Sequence, residues 1–152
     1  MSDSPFAELD LWLQGLLDRV DPAQIKPLSS RYARELRHAN QQRISAQQNP
    51  DGSGYAPRSE ASLKIRARRG RIRRSMFARL RLAAHLQEHA DGQQVTVGFT
   101  GRSARIARVH HYGLRDRVND RLQVKYPSRQ LLGITDQDEA QLADMLLQHM
   151  AL

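Results

Sequence analysis

The sequence has no cysteine among its 152 residues, which excludes disulfides, thiolate nucleophiles and cysteine-based zinc or iron–sulfur sites. It also lacks any apolar run near the roughly 20 residues that a membrane-spanning helix needs. The first ten residues, MSDSPFAELD, are acidic, whereas a secretory signal begins with positive charge. We therefore expect a soluble, intracellular protein with no membrane partner and a length that fits one domain.

Aromatic side chains are scarce, and arginine is abundant. The chain has eight aromatic residues, and 21 of its 24 basic residues are arginine. Residues 58–81 hold ten basic side chains against one acid, Glu60, so that the net charge of +8 is a local feature. Only Phe77 lies among these arginines, which leaves stacking on nucleotide bases without support.

An arginine cluster of this density can dock on an acidic protein surface or neutralise phosphates, and the sequence leaves both open. A basic module that binds DNA or RNA is therefore the alternative function. The candidate docking residues for a protein or DNA partner are Arg58, Arg66, Arg68, Arg69, Arg71, Arg73 and Arg74.

Apolar periodicity predicts an α+β fold in which helices outnumber strands. Two N-terminal helices form a hairpin over residues 1–47, a loop and the arginine-rich segment occupy 48–71, and an α+β core occupies 72–152 of a single domain. Within this core we expect a long central helix over residues 72–89, ended by Gly92 and packed on a small, mostly antiparallel sheet. QVTVGF and DRLQVKYP alternate as strands, and a capped C-terminal helix follows Thr135.

The stretch RIARVHHYGLRD places two histidines before a glycine. Adjacent residues on a helix point about 100° apart, so His110 and His111 are poorly placed to grip one metal ion. Ser103 is a nearby hydroxyl, but no carboxylate is evident to orient a catalytic histidine. We expect a short helix that ends at Gly113, with Ile106 and His110 turned inward and His111 turned toward solvent or a neighbouring subunit.

The segment HLQEH matches the H-x-x-E-H pattern of inverted zinc proteases. On a helix, His85 and His89 would share a face one turn apart, with Glu88 as the base. A catalytic zinc also needs a third protein ligand, and the sequence offers no obvious one. A metal-dependent hydrolase is thus the third hypothesis, and we expect no catalytic residue, metal or cofactor.

Four segments in series resemble the phage virion morphogenesis family, which comprises tail-completion proteins of temperate phages with contractile tails. They are NPDGSGYAPR, an arginine-rich stretch leading into MFARLR, VGFTGRSARIARVHHYG, and YPSRQLLGIT before a capped helix. The resemblance covers essentially the whole chain. The matched positions expected to be architectural include Gly98, Phe99, Ile106, His110, Gly113, Pro127, Arg129, Leu131, Leu132 and Gly133.

The resemblance implies a structural virion protein, located in the tail or neck and assembled in the host cytoplasm. Such a protein caps the completed tail tube and makes the tail competent to join a DNA-filled head. The implied partners are further copies of itself in a ring, usually a hexamer, the tube protein below, and a neck, head-completion or connector protein above. DNA that passes through the lumen is a further non-specific contact.

Overall fold

The computed structural model describes residues 5–59 and 75–151, with side chains from residue 9 onward. It confirms the predicted α+β class, because these residues form four helices and two small antiparallel sheets. The helices are α1 (Pro5–Arg19), α2 (Pro22–Ala46), α3 (Gly101–Tyr112) and α4 (Asp136–Ala151). The strands are β1 (Leu86–Ala90), β2 (Val95–Phe99), β3 (Arg115–Asn119) and β4 (Leu122–Lys125).

The prediction of a long central helix over residues 72–89 is wrong from residue 75 onward. Residues 72–74 lie outside the described part of the chain. Turns occupy residues 75–85, and β1 begins at the fully buried Leu86. The apolar residues at helical spacing were misleading because a buried turn also needs apolar side chains: Leu80 is buried, whereas Leu82 is exposed.

Gly92 does not end a helix but lies between β1 and β2, which pair as a two-stranded sheet. The Asp91 carboxylate accepts the backbone N–H groups of Gln93 and Gln94 at 2.7 and 2.8 Å and so shapes this turn. A Cβ at Gly92 would lie 2.5 Å from the carbonyl oxygen of Pro22. The glycine is needed for that close approach of two backbones.

Contacts divide the chain into two compact units. The first comprises Met1–Leu36, Glu88–Val97 and Asp136–Leu152, and the second comprises Arg37–Gln87 and Gly98–Thr135. By sequence the first unit has 12 acidic and 4 basic residues, a net charge of −8, and the second has 4 acidic and 20 basic residues, a net charge of +16. The net charge of +8 thus conceals two units of opposite sign.

The core of the first unit is small and lies where α2 meets α4. Tyr32, Leu36 and Met145 are buried together, with partly buried residues from α2, β2 and α4 packed around them. The hydroxyl of Tyr32 donates to the backbone carbonyl of Asp138 at 3.2 Å. Burial, followed by the nearby negative charge of Asp138, raises the pKa of Tyr32 above its usual value. This tyrosine is therefore a neutral link between the two helices.

The second unit has the larger set of fully buried side chains. Ile44, Leu86 and Leu131 are each at most 1% exposed, and Ala107 and Val109 present the buried side of α3. The helix ends as predicted at Gly113, which has the left-handed backbone of a C-cap, φ 65° and ψ 45°. Its N–H donates to the carbonyl of Val109 and closes the last turn.

Strands β3 and β4 form an antiparallel hairpin beside α3. Arg115 pairs with Lys125 and Asp116 with Val124, and the register shifts between Arg117 and Asn119. The strand in DRLQVKYP is confirmed, whereas β3 was not predicted. Its sequence RDRVN holds four polar residues and a single apolar one, so it gives little strand signal.

Candidate functional site

Three separate segments that carry the family resemblance meet in the second unit. They are the loop 48–58, the C-terminal end of α3, and residues 126–133. Within the loop, the Asp51 carboxylate accepts the backbone N–H of Ser53 at 2.8 Å, which holds a tight turn. The hydrogen bond from the Ser53 hydroxyl, followed by the one from the Ser53 N–H, lowers the pKa of Asp51. The side-chain oxygen of Asn49 accepts the N–H of Gln130 at 2.8 Å. The loop is thereby fastened to a segment 81 residues later.

Arg129 lies at the centre of this junction, which we call the arginine joint. Its side chain is only 4% exposed, and Nε and Nη2 donate to the carbonyls of Ala56 and Pro57 at 2.7 and 2.9 Å. Nη1 lies 3.4 Å from Nδ1 of His110, whose carbonyl accepts the Arg129 backbone N–H at 2.8 Å. One guanidinium therefore joins all three segments, because its planar fork offers several donors in fixed directions.

Among the described residues, Arg129 is held by carbonyls and an imidazole rather than by a carboxylate. Burial, and to a lesser extent the positive charge of Arg58, lower the pKa of its guanidinium. Arginine remains protonated in spite of such a shift. The carbonyl oxygens that surround it would lose their donors if the side chain were shortened, so the joint depends on arginine itself.

A chain of ring contacts lines the joint. Tyr55 meets Phe77 edge-on at 5.8 Å, Phe77 meets the ring of His110 at 4.9 Å, and His110 meets Tyr126 at 4.6 Å between centroids. Such geometries add stabilisation beyond the area buried. Burial also raises the pKa of Tyr55 to about 12. His110 thus links the aromatic rings of Phe77 and Tyr126. We expected it to be buried, but it is half-buried.

Gln47 holds the chain near Phe77 in place. Its Oε1 accepts the N–H of Met76 at 2.7 Å, and its Nε2 donates to the carbonyls of Ile44 and Met76 at 2.6 and 3.0 Å. Gln47 and Phe77 both have positive φ angles, 59° and 62°, a backbone conformation that is unfavourable for residues other than glycine. The hydrogen bonds of Gln47 and the ring contacts of Phe77 together compensate for this strain.

His111 also has a structural role within the chain, whereas we expected it to turn toward solvent or a neighbouring subunit. It is half-buried, its Nδ1 accepts the N–H of Leu131 at 3.1 Å, and its carbonyl accepts the hydroxyl of Ser128 at 2.7 Å. Burial lowers the pKa of His111. The neutral ring with its proton on Nε2 is the form that fits this hydrogen bond.

Gly133 completes the joint from the other side. Its N–H donates to the side-chain oxygen of the buried Asn40 at 2.9 Å, and its carbonyl accepts from Arg43 at 2.7 Å. A Cβ at this position would overlap the ring of Pro50. Sequence reasoning missed Asn40, Gln47 and Tyr55, although Asn40 follows Leu36 by four residues on the apolar stripe of α2, where a polar residue signals a specific partner.

The other motif residues are distributed unevenly. Leu131 is buried, Leu132 and Phe99 are half-buried, and Pro127 is exposed just after β4. Ile106 was expected to turn inward, but it is 46% exposed, because Ser103, Ala107 and Val109 form the buried side of α3. Gly98 has open space around its Cα, and nothing in the structure explains a need for glycine there.

The predicted docking arginines fall in two groups. Arg58 is half-buried and donates to the carbonyl of Ser75 at 3.3 Å, so part of its hydrogen bonding is used within the chain. Arg66, Arg68, Arg69, Arg71, Arg73 and Arg74 lie outside the described residues. Their role in docking stays a prediction.

The folded chain does not place the zinc-protease pattern on a helix. His85 precedes β1 and His89 lies within it, so the two residues are not one turn apart on a helix. In the ranges 5–59 and 75–151, no group of three potential ligands among His, Asp and Glu side chains is placed to hold a metal ion. Within the same ranges, no helix combines the length and apolar character needed to cross a bilayer.

A serine–histidine pair is the contact that most resembles catalytic machinery. The Ser103 hydroxyl lies 2.7 Å from Nδ1 of His85, a distance suited to a nucleophile and its base. However, Ser103 is only 8% exposed, and in the described part of the chain no carboxylate accepts a hydrogen bond from His85 to orient its imidazole. The pair is better explained as a hydrogen bond that holds the first turn of α3 against the segment before β1.

Comparison with known proteins gives a consistent result. The family model described as the phage virion morphogenesis family matches residues 5–151. Tail completion protein S of Escherichia phage P2 is 37% identical over 140 residues, which cover 91% of this chain and 92% of that protein. No solved structure matches the chain.

Proposed function

This chain belongs to the phage virion morphogenesis family, and from that premise we propose that it completes the phage tail as a structural component of the virion. The observation that carries the proposal is the match to tail completion protein S, which extends over almost the full length of both proteins. The arginine joint supports a structural role, because Arg129, His111 and Gly133 use their hydrogen-bonding groups to hold segments of the chain together.

In finer detail, the protein caps the finished tail tube and makes the tail competent to join a DNA-filled head. It acts as a ring of identical copies, six being the number implied by the family resemblance. A head-to-tail contact between identical subunits produces such a ring when its rotation closes. The buried joint keeps each subunit rigid, so that the copies present equivalent surfaces to the tube and the neck.

The arginine-rich segment docks on an acidic surface of a neighbouring virion protein. Arginine suits this role because its guanidinium pairs with carboxylates through two parallel hydrogen bonds. The alternative, a module that grips DNA through phosphates, is favoured by the charge of +16 in the second unit. Steep weakening of DNA binding with salt, in a protein that stays monomeric, would identify that alternative.

The proposal is tested by complementing a phage that lacks its tail-completion gene. Reversing Arg66, Arg68 and Arg69 to glutamate should leave a folded protein and normal tails, but few tails joined to heads by electron microscopy. Reversing the exposed Arg31 and Arg34 of α2 is the control for altered charge. Normal infectious yield from the triple variant would remove the docking role, and failure of the wild-type gene to complement would refute tail completion itself.

A further inference from the structure

The β3–β4 hairpin is a two-stranded ribbon with one open side. Asp116 and Val124, which are partners in the ladder, are half-buried, and Asp116 forms an ion pair with Arg105 of α3. Successive side chains on a strand point to opposite sides, so the neighbours of Asp116 and Val124 along the strands project away from α3. The ribbon therefore has one side toward the helix and one side toward solvent.

The open side of the hairpin carries polar side chains, most of them cationic. Arg115 pairs with Lys125 and Arg117 with Gln123 in the ladder, so all four share this side. All four are exposed. In the part of the chain that the structure describes, no carboxylate forms an ion pair with Arg115, Arg117 or Lys125. We call these three cations and Gln123 the basic hairpin face.

The charges on this face repel one another in the subunit alone. Arg115 and Lys125 are direct partners across the antiparallel ladder, and like charges in that position are destabilising. Asp116 does not relieve the repulsion, because it lies on the other side of the ribbon and is paired there with α3. In the turn, Asp120 and Arg121 have opposite charges and add no net charge. A polyanion placed over the face would remove the repulsion.

The surroundings of the hairpin are also basic. Residues 101–125 hold seven basic and two acidic side chains, a net charge of +5, and Arg102 and Arg108 of α3 are exposed. A region of one charge sign attracts ligands of the opposite sign and speeds their encounter. The sequence concealed this second basic region, because the acidic residues of the first unit cancel its charge in the total for the chain.

The basic hairpin face has no apolar side chain, which favours nucleic acid as the polyanion. The apolar residues of β4, Leu122 and Val124, lie on the opposite side of the ribbon. Protein interfaces have an apolar core, and contacts with a membrane surface bury apolar side chains among the lipids. A nucleic-acid backbone, in contrast, is bound by cations and polar donors alone.

The hairpin suits a DNA duplex better than a single strand or an RNA duplex. Residues 115–125 include no aromatic side chain, whereas single strands are held largely by stacking of their bases on aromatic rings. The bases of a duplex are already stacked, and its two strands present a dense array of phosphates. The major groove of DNA admits a two-stranded ribbon, but that of an RNA duplex is too narrow.

We propose that the basic hairpin face binds the phosphate backbone of double-helical DNA without regard to base sequence. Arg115, Arg117 and Lys125 neutralise phosphates, and the amide of Gln123 donates a hydrogen bond beside them. Contacts of this kind position a protein on DNA but do not read its sequence. The inference goes beyond tail completion, and its residues are separate in sequence from the arginine-rich segment.

The salt dependence of DNA binding tests the proposal. Full-length protein should bind a labelled duplex of mixed sequence, measured by fluorescence anisotropy, and each phosphate contact contributes about 0.9 to the slope of log affinity against log salt. Arg115→Gln with Arg117→Gln should lower that slope by about two and weaken binding about tenfold or more at about 0.1 M salt. Circular dichroism should show an unchanged fold. An unaltered slope, or no binding by the native chain, would overturn the inference.

Two matched variants separate this face from net charge in general. Arg31→Gln with Arg34→Gln removes the same charge from exposed positions of α2 and should leave the slope nearly unaltered. Arg115→Lys with Arg117→Lys keeps the charge of the hairpin and should keep the slope as well, because a phosphate is neutralised by either cation. A loss of DNA affinity in the α2 variant equal to that in the glutamine variant of the hairpin would contradict the proposed face.

Competition identifies the partner of the face. Poly-glutamate at an equal concentration of negative charge should compete less well than duplex DNA; equal competition would assign the face to an acidic protein, and the inference would be wrong. Tighter binding of a single strand than of the duplex would also contradict it. Tail joining in the complementation assay is measured independently of DNA affinity, so failure of this inference is distinguishable from failure of the proposed function.

Discussion

The arginine joint and helix α1 differ in which side chains they bury and which they expose. In the joint, the charged side chain of Arg129 is buried, and each of its three nitrogens has a hydrogen-bond partner within the chain. On α1, five large apolar side chains are exposed, and none of them belongs to the described core: Leu9, Leu11, Trp12, Leu13 and Leu17. The first region has its partners inside the subunit, whereas the second lacks them among the described residues. This contrast separates residues that stabilise the subunit from residues that are available to assemble it.

The contrast predicts that substitutions in the two regions differ in kind. Changes in the joint should lower the free energy of unfolding of the isolated subunit, because buried polar groups lose their partners. Changes on α1 should leave that free energy nearly unaltered and act on association instead. A subunit that loses stability equally from both regions would break the comparison.

The largest effect is expected from Arg129→Met. It removes the donors to the carbonyls of Ala56 and Pro57 while keeping much of the side-chain volume, and should cost about 3–5 kcal/mol of unfolding free energy. Denaturant titration followed by circular dichroism measures the loss. Arg108→Met, at an exposed site on the same helix as His110, is the control and should change stability by about 0.5 kcal/mol or less. Equal effects of the two changes would contradict the buried role of Arg129.

A smaller, pH-dependent effect is expected from His111. Its pKa is lowered in the folded state by burial, so the unfolded chain binds a proton more readily. Its stabilising contribution is complete above the unfolded pKa of about 6.5 and is lost as pH falls toward the lower folded pKa. The loss should approach the value of the hydrogen bond from Leu131, about 1 kcal/mol.

His111→Asn is the matched variant for this test, because its Oδ1 takes the place of Nδ1 and does not titrate near neutral pH. Urea titrations at several pH values between about 5 and 8 should show a flatter stability profile for the variant than for the native chain. Identical slopes in the two proteins would show that the histidine does not link pH to the joint.

The smallest effect on stability is expected on α1. Leu13→Gln and Leu17→Gln keep helix propensity nearly unchanged and remove apolar groups that are already in contact with water. At concentrations where the protein is monomeric, each should alter the unfolding free energy by about 0.5 kcal/mol or less. A loss above about 2 kcal/mol would mean that α1 packs within the subunit, and the comparison would fail.

Some parts of the fold could be predicted because their signals are local. Helix α3 ends at Gly113, where glycine accepts the left-handed backbone, and strand β4 shows the alternation of Leu122 and Val124. The region 75–90 could not be predicted in this way. Its apolar spacing satisfies a helix, but burial of Leu86 in a strand depends on contacts with distant residues. Charge alternation also concealed β3, because the exposed side of a hairpin needs no apolar residues.

The candidate site was predictable as a set of motifs but not as a geometry. Arg129, His110, Gly113 and Leu131 were identified from the family resemblance as architectural positions. Which carbonyls Arg129 binds depends on residues more than 70 positions away in sequence. Asn40 and Gln47 were not predicted, because an amide on a helix looks like an exposed residue until its partners are known.

The sequence by itself determined the lack of thiol chemistry, the excess of arginine, the family, and the helix and strand signals that arise from neighbouring residues. Only the tertiary structure decided that Arg129 is buried and joins its own segment to two others, that His85 and His89 do not share a helix face, and that the apolar stripe of α1 is exposed. The physical reason is the same in each case. Burial and hydrogen bonding depend on which distant segments meet. Periodicity along the chain indicates only which residues share a face of a helix or strand, and not what that face contacts.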